Sequence, residues 1–211
     1  MIGRRWSAAV LVLVVAAGLF GLAGGPAASE PPSAGAARAA PRPSQPNAFF
    51  NPKLFYDGLA AATGAAEPAA GSLAGGLVPH HDLAAELLSG FFLQMEADPP
   101  EVIFLVGPNH DAAGAPVITG RRAWQTSFGQ VEADLEAVDA LVDAGLAAVD
   151  ESVLEREHSM GTLMPYIKYH APGARVVPLV LRRNLTLPEL QRLADGLAVY
   201  LGPDARTGRV V

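Results

Sequence analysis

Two histidines in this sequence stand where a short apolar segment ends abruptly. His80 closely follows the segment 77–78, and His110 follows the segment 102–106 across a Gly-Pro-Asn turn. His158 comes later, in a Glu-His-Ser triplet. In a parallel sheet, ligands bind just beyond the carboxyl ends of the strands, so histidines placed there by separate strands can converge on one point. The pattern predicts an α/β sheet with a metal or proton-transfer site at one edge.

Composition narrows the chemistry that this site can use. The chain has 211 residues, half of them hydrophobic, which is enough for one sizeable packed domain with appendages. Its net charge of −6 argues against a nucleic-acid partner, because such partners need a concentrated basic surface. The sequence contains no cysteine, which excludes disulfides, thiolate ligands and a cysteine nucleophile. Any metal must therefore be held by histidine, carboxylate or water.

The first residues have the order of an export signal. Arg4 and Arg5 precede the apolar run 8–23, and small residues follow it. We therefore predict a signal peptide or an N-terminal membrane anchor at 1–28 and a flexible Pro/Ala-rich linker at 29–46. The run is near the ~18 to 20 residues that a membrane span requires, so a cleaved signal and an uncleaved anchor both fit. Both place the domain 47–211 outside the cytoplasm, either free in the periplasm or medium or tethered to the outer face of the membrane.

The remaining sequence alternates strands with helices. After His81, apolar residues recur at helical spacing until Pro99 and Pro100 end the element, and a strand follows at 102–106. The same pattern predicts three later elements: an amphipathic helix across 131–146, a buried strand at 175–181, and a helix that begins at a Thr186/Glu189 capping box and continues to Leu201. We predict a three-layer α/β domain with a mostly parallel central sheet flanked by helices.

The end of the chain looks like the beginning of another strand. Residues 209–211 are Arg-Val-Val and follow a helix and a short turn. Because a domain rarely ends on an unprotected strand start, we expect the domain to be incomplete at its C-terminus.

His110 and His80 are the candidate metal ligands. The Gly-Pro turn before His110 leaves this histidine at the rim of the sheet, although a turn histidine bonded to the backbone also fits. His80 and His81 follow the preceding strand, and adjacent side chains diverge, so we expect only one of them to enter the site and we favour His80. The alternative is a solvated pair that caps the helix after it.

His158 is the candidate catalytic residue. Its neighbour Glu157 is suited to raising its pKa or orienting its ring, and Ser159 is suited to capping the helix that follows. Acid/base catalysis and simple helix capping both fit this pattern. His170 is most simply explained as a favourable charge at a helix C-terminus, and we leave it out of the site.

Taken together, these motifs resemble the MEMO family, which includes the bacterial AmmeMemoRadiSam system protein B. The resemblance covers 47–211 and is specific through the order of its motifs, although each motif is short. The matching segments are Val78-Pro79-His80, the Leu-Val-Gly-Pro-Asn-His turn at 105–110, the Thr-Ser-Phe-Gly stretch at 126–129, and Glu157-His158-Ser159 followed by 163–167.

The resemblance implies a fold similar to that of class III extradiol ring-cleaving dioxygenases, whose non-haem Fe(II) is held by two histidines and a carboxylate. It implies that His80 and His110 are metal ligands and that His158 is an acid/base beside the metal. Fe(II) is the expected ion, and copper or zinc also suits imidazole ligands. The implied partner is a small molecule or a peptide of unknown identity.

Three departures from the family pattern bear on the site. The family's third metal-site residue lies in a segment beyond the equivalent of Val211. Gly161 stands where the family usually has glutamate, and His81-Asp82 replaces the usual Ala-Gly-Tyr. We therefore retain three hypotheses: oxygen-dependent or redox chemistry at a mononuclear metal, a non-enzymatic protein that binds a metal or a peptide in the same pocket, and, least favoured, a zinc hydrolase.

Overall fold

The computed structural model describes residues 10–14, 44–65 and 75–201. The predicted export signal lies outside the described residues except for Val10–Val14, and the predicted linker lies outside them except for Ser44–Pro46. The predicted strand start at 209–211 also lies outside them. Within the described ranges, no helix combines the length and apolar character needed to cross a bilayer.

A six-stranded sheet forms the centre of the protein, and a small three-stranded sheet lies apart from it. The central strands are β1 (Val10–Val14), β3 (Gly76–Val78), β4 (Val102–Pro108), β5 (Val117–Thr119), β8 (Ala148–Val149) and β9 (Arg175–Leu181). The others are β2 (Ser44–Pro46), β6 (Ala123–Thr126) and β7 (Gly129–Val131). The strand order in the central sheet is β3-β1-β4-β9-β5-β8, and the order in the second sheet is β2-β6-β7.

Strand direction places the ends of β3 and β4 at the same edge of the sheet. Strand β1 lies between them and pairs antiparallel with both, so β3 and β4 run the same way. Strand β9 pairs parallel with β4, whereas β5 pairs antiparallel with β9 and parallel with β8. The predicted α/β class is confirmed, but the sheet, predicted to be mostly parallel, has two parallel and three antiparallel pairs among its described strands, because β1 and β5 run against their neighbours β4 and β9. The strands that precede His80 and His110 deliver them to one edge.

Helices cover both faces of the central sheet. They are α1 (Pro52–Ala65), α2 (Ala85–Leu93), α3 (Leu135–Asp143), α4 (Glu151–Arg156), α5 (His158–Gly161), α6 (Met164–His170) and α7 (Leu187–Leu201), with a 3₁₀ turn at Asp82–Ala84. Ile103 and Leu105 of β4 belong to a core with residues of α1, α2 and α6. Val102 and Phe104 belong to a second core with residues of α3 and α7. Burial on both faces explains why β4 reads as a continuous apolar run.

Two predicted elements agree closely with the structure. The strand at 175–181 is β9 with the predicted bounds. The predicted capping box is present, because the Glu189 carboxylate accepts hydrogen bonds from the backbone N–H and the hydroxyl of Thr186, each at 2.7 Å. The capped helix, α7, continues to Leu201 as predicted.

Two helices differ from the predictions in where they begin and in which residues they bury. Helix α2 begins at Ala85, after the 3₁₀ turn, and buries Leu88 but leaves Leu87 67% exposed. Helix α3 begins at Leu135 and not near residue 131, because the side chain of Asp134 caps it by accepting from the Ala137 N–H at 3.0 Å. Local side-chain capping and the turn geometry, which the apolar spacing does not reveal, set these helix starts.

The aromatic segment 49–56 anchors helix α1 to the core through Phe55. The Phe55 side chain is fully buried, with its ring centroid 4.8 Å from that of Tyr166 and 5.1 Å from that of Phe128. Helix α1 therefore covers one face of the domain.

His170 lies at the end of α6, as predicted, but it is buried. Its Nδ1 is 2.7 Å from Glu96 Oε1. Burial lowers the pKa of His170, and the Glu96 carboxylate opposes this effect only in part. The ring therefore acts as a packed, hydrogen-bonded core group more than as an exposed helix-end charge.

Candidate metal centre

Three of the four histidines near the sheet edge form one cluster. His80 follows β3, His110 follows β4, and His158 is the first residue of α5. The ring centroids are 5.1 Å apart for His80 and His110, 5.2 Å for His80 and His158, and 4.1 Å for His110 and His158. One nitrogen from each ring lies within 4.8 Å of the others. Two nitrogens bound to one ion at about 2.0 to 2.1 Å are separated by about 3 to 4 Å, so small ring movements suffice to coordinate an ion.

Solvent exposure differs among the three histidines of the cluster. His80 is 1% exposed, whereas the side chains of His110 and His158 are 24% and 30% exposed. Burial, together with the neighbouring histidines, lowers the pKa of His80 to about 4. Burial and the nearby His110 also lower the pKa of His158. At neutral pH these two imidazoles are uncharged and offer lone pairs to a cation.

The surroundings of His80 fit a metal ligand. Neither ring nitrogen of His80 has a hydrogen-bond partner among the residues that the structure describes. Buried polar groups are nearly always paired, and leaving one unpaired costs about 1 to 3 kcal/mol. A metal ion would satisfy one of these nitrogens, and neutral imidazoles suit iron, copper and zinc. The residues present therefore fit a metal ion.

Glu157 acts mainly on His110, whereas the sequence associates it with His158. Its Oε1 is 2.7 Å from His110 Nδ1, and its Oε2 accepts the His110 backbone N–H at 2.8 Å. The distance from Oε1 to His158 Nδ1 is 3.7 Å, which is too long for a hydrogen bond. A neutral His110 that donates from Nδ1 to Glu157 keeps the lone pair on Nε2 free to bind another partner. A carboxylate that orients a histidine in this way is typical of metal sites.

Glu157 also joins the end of β4 to the start of α5. Its Oε1 accepts the Ser159 N–H at 3.0 Å and caps the helix, and the Ser159 hydroxyl donates to the Pro108 carbonyl at 3.1 Å. Burial acts to raise the pKa of Glu157, but the hydrogen bonds from His110 and Ser159 outweigh it and the pKa is lowered. Glu157 is therefore a carboxylate that supports His110. Ser159, predicted as a helix cap, links the helix to the strand instead.

A strap formed by residues 47–50 borders the site next to His158. Strand β2 pairs parallel with β6 and leads directly into the strap. The Asn47 amide donates to the Gly161 carbonyl at 2.9 Å and accepts the Phe49 N–H at 3.1 Å. The Phe49 ring centroid then lies 6.1 Å from that of His158. An aromatic wall thus borders the cluster, and no sequence motif pointed to it.

Gly161 is required for this contact, and replacing it by alanine is expected to destabilise the protein by about 1 to 3 kcal/mol, as overpacking does. A Cβ at Gly161 would lie 2.5 Å from Phe49 Cδ2 and 3.1 Å from Asn47 Oδ1. The penalty should be largely relieved in a Phe49→Ala background, which urea denaturation of the double-mutant cycle measures. Gly173→Ala is the control, because a Cβ there meets nothing within 4 Å. An equal penalty with and without Phe49 would contradict the coupling.

The roles predicted for the three histidines are compatible with this arrangement but are not distinguished by it. The structure brings His80, His110 and His158 together, and each offers a nitrogen to the same region. A third ligand was expected beyond Val211, whereas the third donor that the structure provides is His158. The assignment of His158 as acid/base and not as ligand therefore stays a prediction. Sequence reasoning missed Glu157 as the partner of His110 and Phe49 as a wall.

Fold and site together define an α/β protein with a three-histidine cluster that could hold a metal ion. Comparison with known families then identifies its family. The sequence model of the family described as Memo-like protein matches residues 56–205, which is more than half of the chain. The chain belongs to this family, and the resemblance inferred from its motifs is confirmed.

Curated relatives agree with this assignment. The chain is 39% identical over 115 residues to a MEMO1 family protein of Caldivirga maquilingensis, a match that covers 53% of this chain and 39% of the relative. It is 32% identical over 168 residues to a MEMO1 family protein of Pyrobaculum aerophilum, covering 79% and 55%. For a MEMO1 family protein of Thermococcus onnurineus the identity is 31% over 134 residues, covering 59% and 45%. The chain spans about half the length of the curated relatives that it matches.

Proposed function

We propose that this domain binds one divalent metal ion, with Fe(II) as the working ion, and supports oxygen-dependent chemistry on a small molecule or peptide. The observation that carries the proposal is the buried His80 ring, whose two nitrogens lack partners within the described part of the chain while two further imidazoles face the same region. The Fe(II) choice rests on the resemblance to extradiol dioxygenases. A histidine-held Fe(II) with open positions supplies oxygen activation when it is bound.

In this proposal the residues around the site have separate roles. His80 and His110 would hold the ion, and Glu157, whose Oε1 is 2.7 Å from His110 Nδ1, would orient the His110 ring and leave its Nε2 free to bind. His158 exchanges a proton with the bound molecule, because its ring is the most exposed of the three and is not held by Glu157. Phe49 excludes water from one side of the pocket. The bound molecule enters at the rim, where His110 and His158 are partly exposed.

The proposal is tested by loading the metal-free full chain with Fe(II) without oxygen and then adding nitric oxide. We expect one iron per chain by elemental analysis, and an electron paramagnetic resonance signal from an iron–nitric oxide complex, because open positions admit a small ligand. His158→Gln should retain the iron, whereas His80→Gln should lose it. Iron that binds but never takes up nitric oxide would favour the non-enzymatic metal-binding protein. Iron lost equally from both variants would make His158 a ligand.

We also propose export, with the domain either released or tethered outside the cytoplasmic membrane. The support is the sequence order of paired arginines, an apolar run and small residues in 1–28. The backbone of Val10–Val14 pairs with β3 and β4, so cleavage of the signal would remove the strand that joins the edge strand β3 to the rest of the sheet. The intact mass of the protein recovered from the periplasm and from membranes distinguishes the cleaved form from the anchored form.

A further inference from the structure

A fourth imidazole, that of His81, adjoins the cluster from the solvent side. Its ring centroid is 4.4 Å from that of His80 and 5.3 Å from that of His158. Across the described ranges, the group with mutually close donor atoms contains His80, His110 and His158, and His81 is not part of it. His81 is exposed, whereas His80 is almost completely buried. His81 is therefore positioned next to the ligands without sharing their burial.

The backbone of His81 is fixed even though its ring is exposed. His81 stands in extended conformation at the start of the 3₁₀ turn, and its carbonyl accepts the Ala84 N–H at 2.9 Å. The next side chain, Asp82, accepts the Asn51 N–H at 3.0 Å and so ties the turn to the beginning of α1. Exposed side chains change rotamer within nanoseconds. The His81 ring can therefore turn toward solvent or toward the cluster while its backbone stays fixed.

The exposed position of His81 suits it to the first step of metal entry. A hydrated cation exchanges its waters for protein ligands stepwise, so its first protein ligand must be reachable from bulk water. His80 cannot be that ligand, because it is 1% exposed. His110 and His158 are only partly exposed, whereas His81 is exposed, which makes it the most accessible of the four imidazoles. Because it lies beside both His80 and His158, it can accept the ion first and keep it close while the inner rings replace the remaining waters.

We propose that His81 is a capture ligand, which with His158 forms a transient binding position through which divalent cations enter and leave the inner cluster. The inference rests on the proposed metal centre. A group that binds the ion only in passing lowers the barrier for entry and for exit equally. Loss of His81 therefore changes both rates and leaves the equilibrium affinity unchanged.

The experiment mixes the metal-free full chain with Co²⁺ in a stopped-flow instrument and follows visible absorption, with dissociation measured by adding excess chelator. His81→Gln is expected to slow association and dissociation alike by about tenfold, which corresponds to about 1.4 kcal/mol of barrier, while the Kd stays the same. Leu83→Gln is the matched control, since it introduces the same side chain two residues away at a position that is 92% exposed. Free imidazole added to His81→Gly should restore the rates.

Each other outcome decides against the proposal. A weaker Kd with unchanged association would make His81 a permanent ligand. Unchanged rates and an unchanged Kd would show that His81 takes no part in metal binding. The ring is exposed, so the variants should keep the wild-type melting temperature, and equal slowing in Leu83→Gln would assign the effect to the surface of the turn. Wild-type protein that binds no Co²⁺ would overturn the metal centre itself, whereas normal wild-type binding with an unaffected variant overturns only the capture role.

Discussion

Replacing His80 by leucine is expected to abolish metal binding and, in the same protein, to stabilise the metal-free fold. The ring is 1% exposed, and neither nitrogen is hydrogen-bonded to any residue that the structure describes. An apolar side chain of similar size removes that unpaired polarity, so the free energy of unfolding should rise by about 1 kcal/mol. Metal affinity should fall by more than about 100-fold, because even the loss of a group that supports a ligand costs about 10- to 100-fold. Urea denaturation and Co²⁺ titration measure the two effects.

His110→Leu is the control for this prediction, since it should change stability in the opposite direction. His110 is partly exposed, and its Nδ1 bonds to the buried Glu157 carboxylate. Its removal leaves a buried carboxylate oxygen without this partner, which costs about 1 to 3 kcal/mol. Both variants should fail to bind metal, but only His80→Leu should gain stability. Equal losses of stability in the two variants would show that the His80 nitrogens are satisfied in solution, and the strongest argument for the metal site would be lost.

Glu157→Gln is expected to weaken both the metal site and the fold, although it preserves shape. Both carboxylate oxygens accept from donors: Oε1 from His110 Nδ1 and the Ser159 N–H, and Oε2 from the His110 N–H. A glutamine amide puts an NH₂ group against one of these donors. We expect a loss of about 1 to 3 kcal/mol in stability and of about 10- to 100-fold in metal affinity. Thermal unfolding of the metal-free protein and metal titration separate the two losses.

The matched control is Glu155→Gln, which removes the same charge two residues earlier from the exposed face of α4. Glu155→Gln should change neither the stability of the protein nor its metal affinity appreciably, because exposed charges contribute little to stability. A Glu157→Gln protein that is less stable but binds metal as tightly as wild type would show that Glu157 is purely structural. In that case the orientation of His110 would not depend on its carboxylate partner.

The sequence by itself determined the α/β class, the strand at Arg175–Leu181 and the placement of two histidines just after strands. These features are local. A strand buried on both faces must be apolar throughout, so residues adjacent in sequence carry the whole signal. The predicted Gly-Pro turn was wrong in detail, because Gly107 and Pro108 still pair with β9 as the last residues of β4. The family motifs are equally local, which is why four short segments in order were enough to indicate a family that the comparison with known proteins then confirmed.

Only the tertiary structure decided which side chains support the site. Glu157 contacts His110 across 47 positions of sequence, and Asn47 reaches Gly161 across 114. The sequence associated Glu157 with its neighbour His158, because adjacency is the only proximity that a sequence displays. Partners this far apart are set by strand order and by how the helices pack on the sheet, and these depend on the summed burial of many residues rather than on any single motif. The ligand candidates could therefore be predicted from local sequence, while their orientation, their burial and the aromatic wall beside them could not.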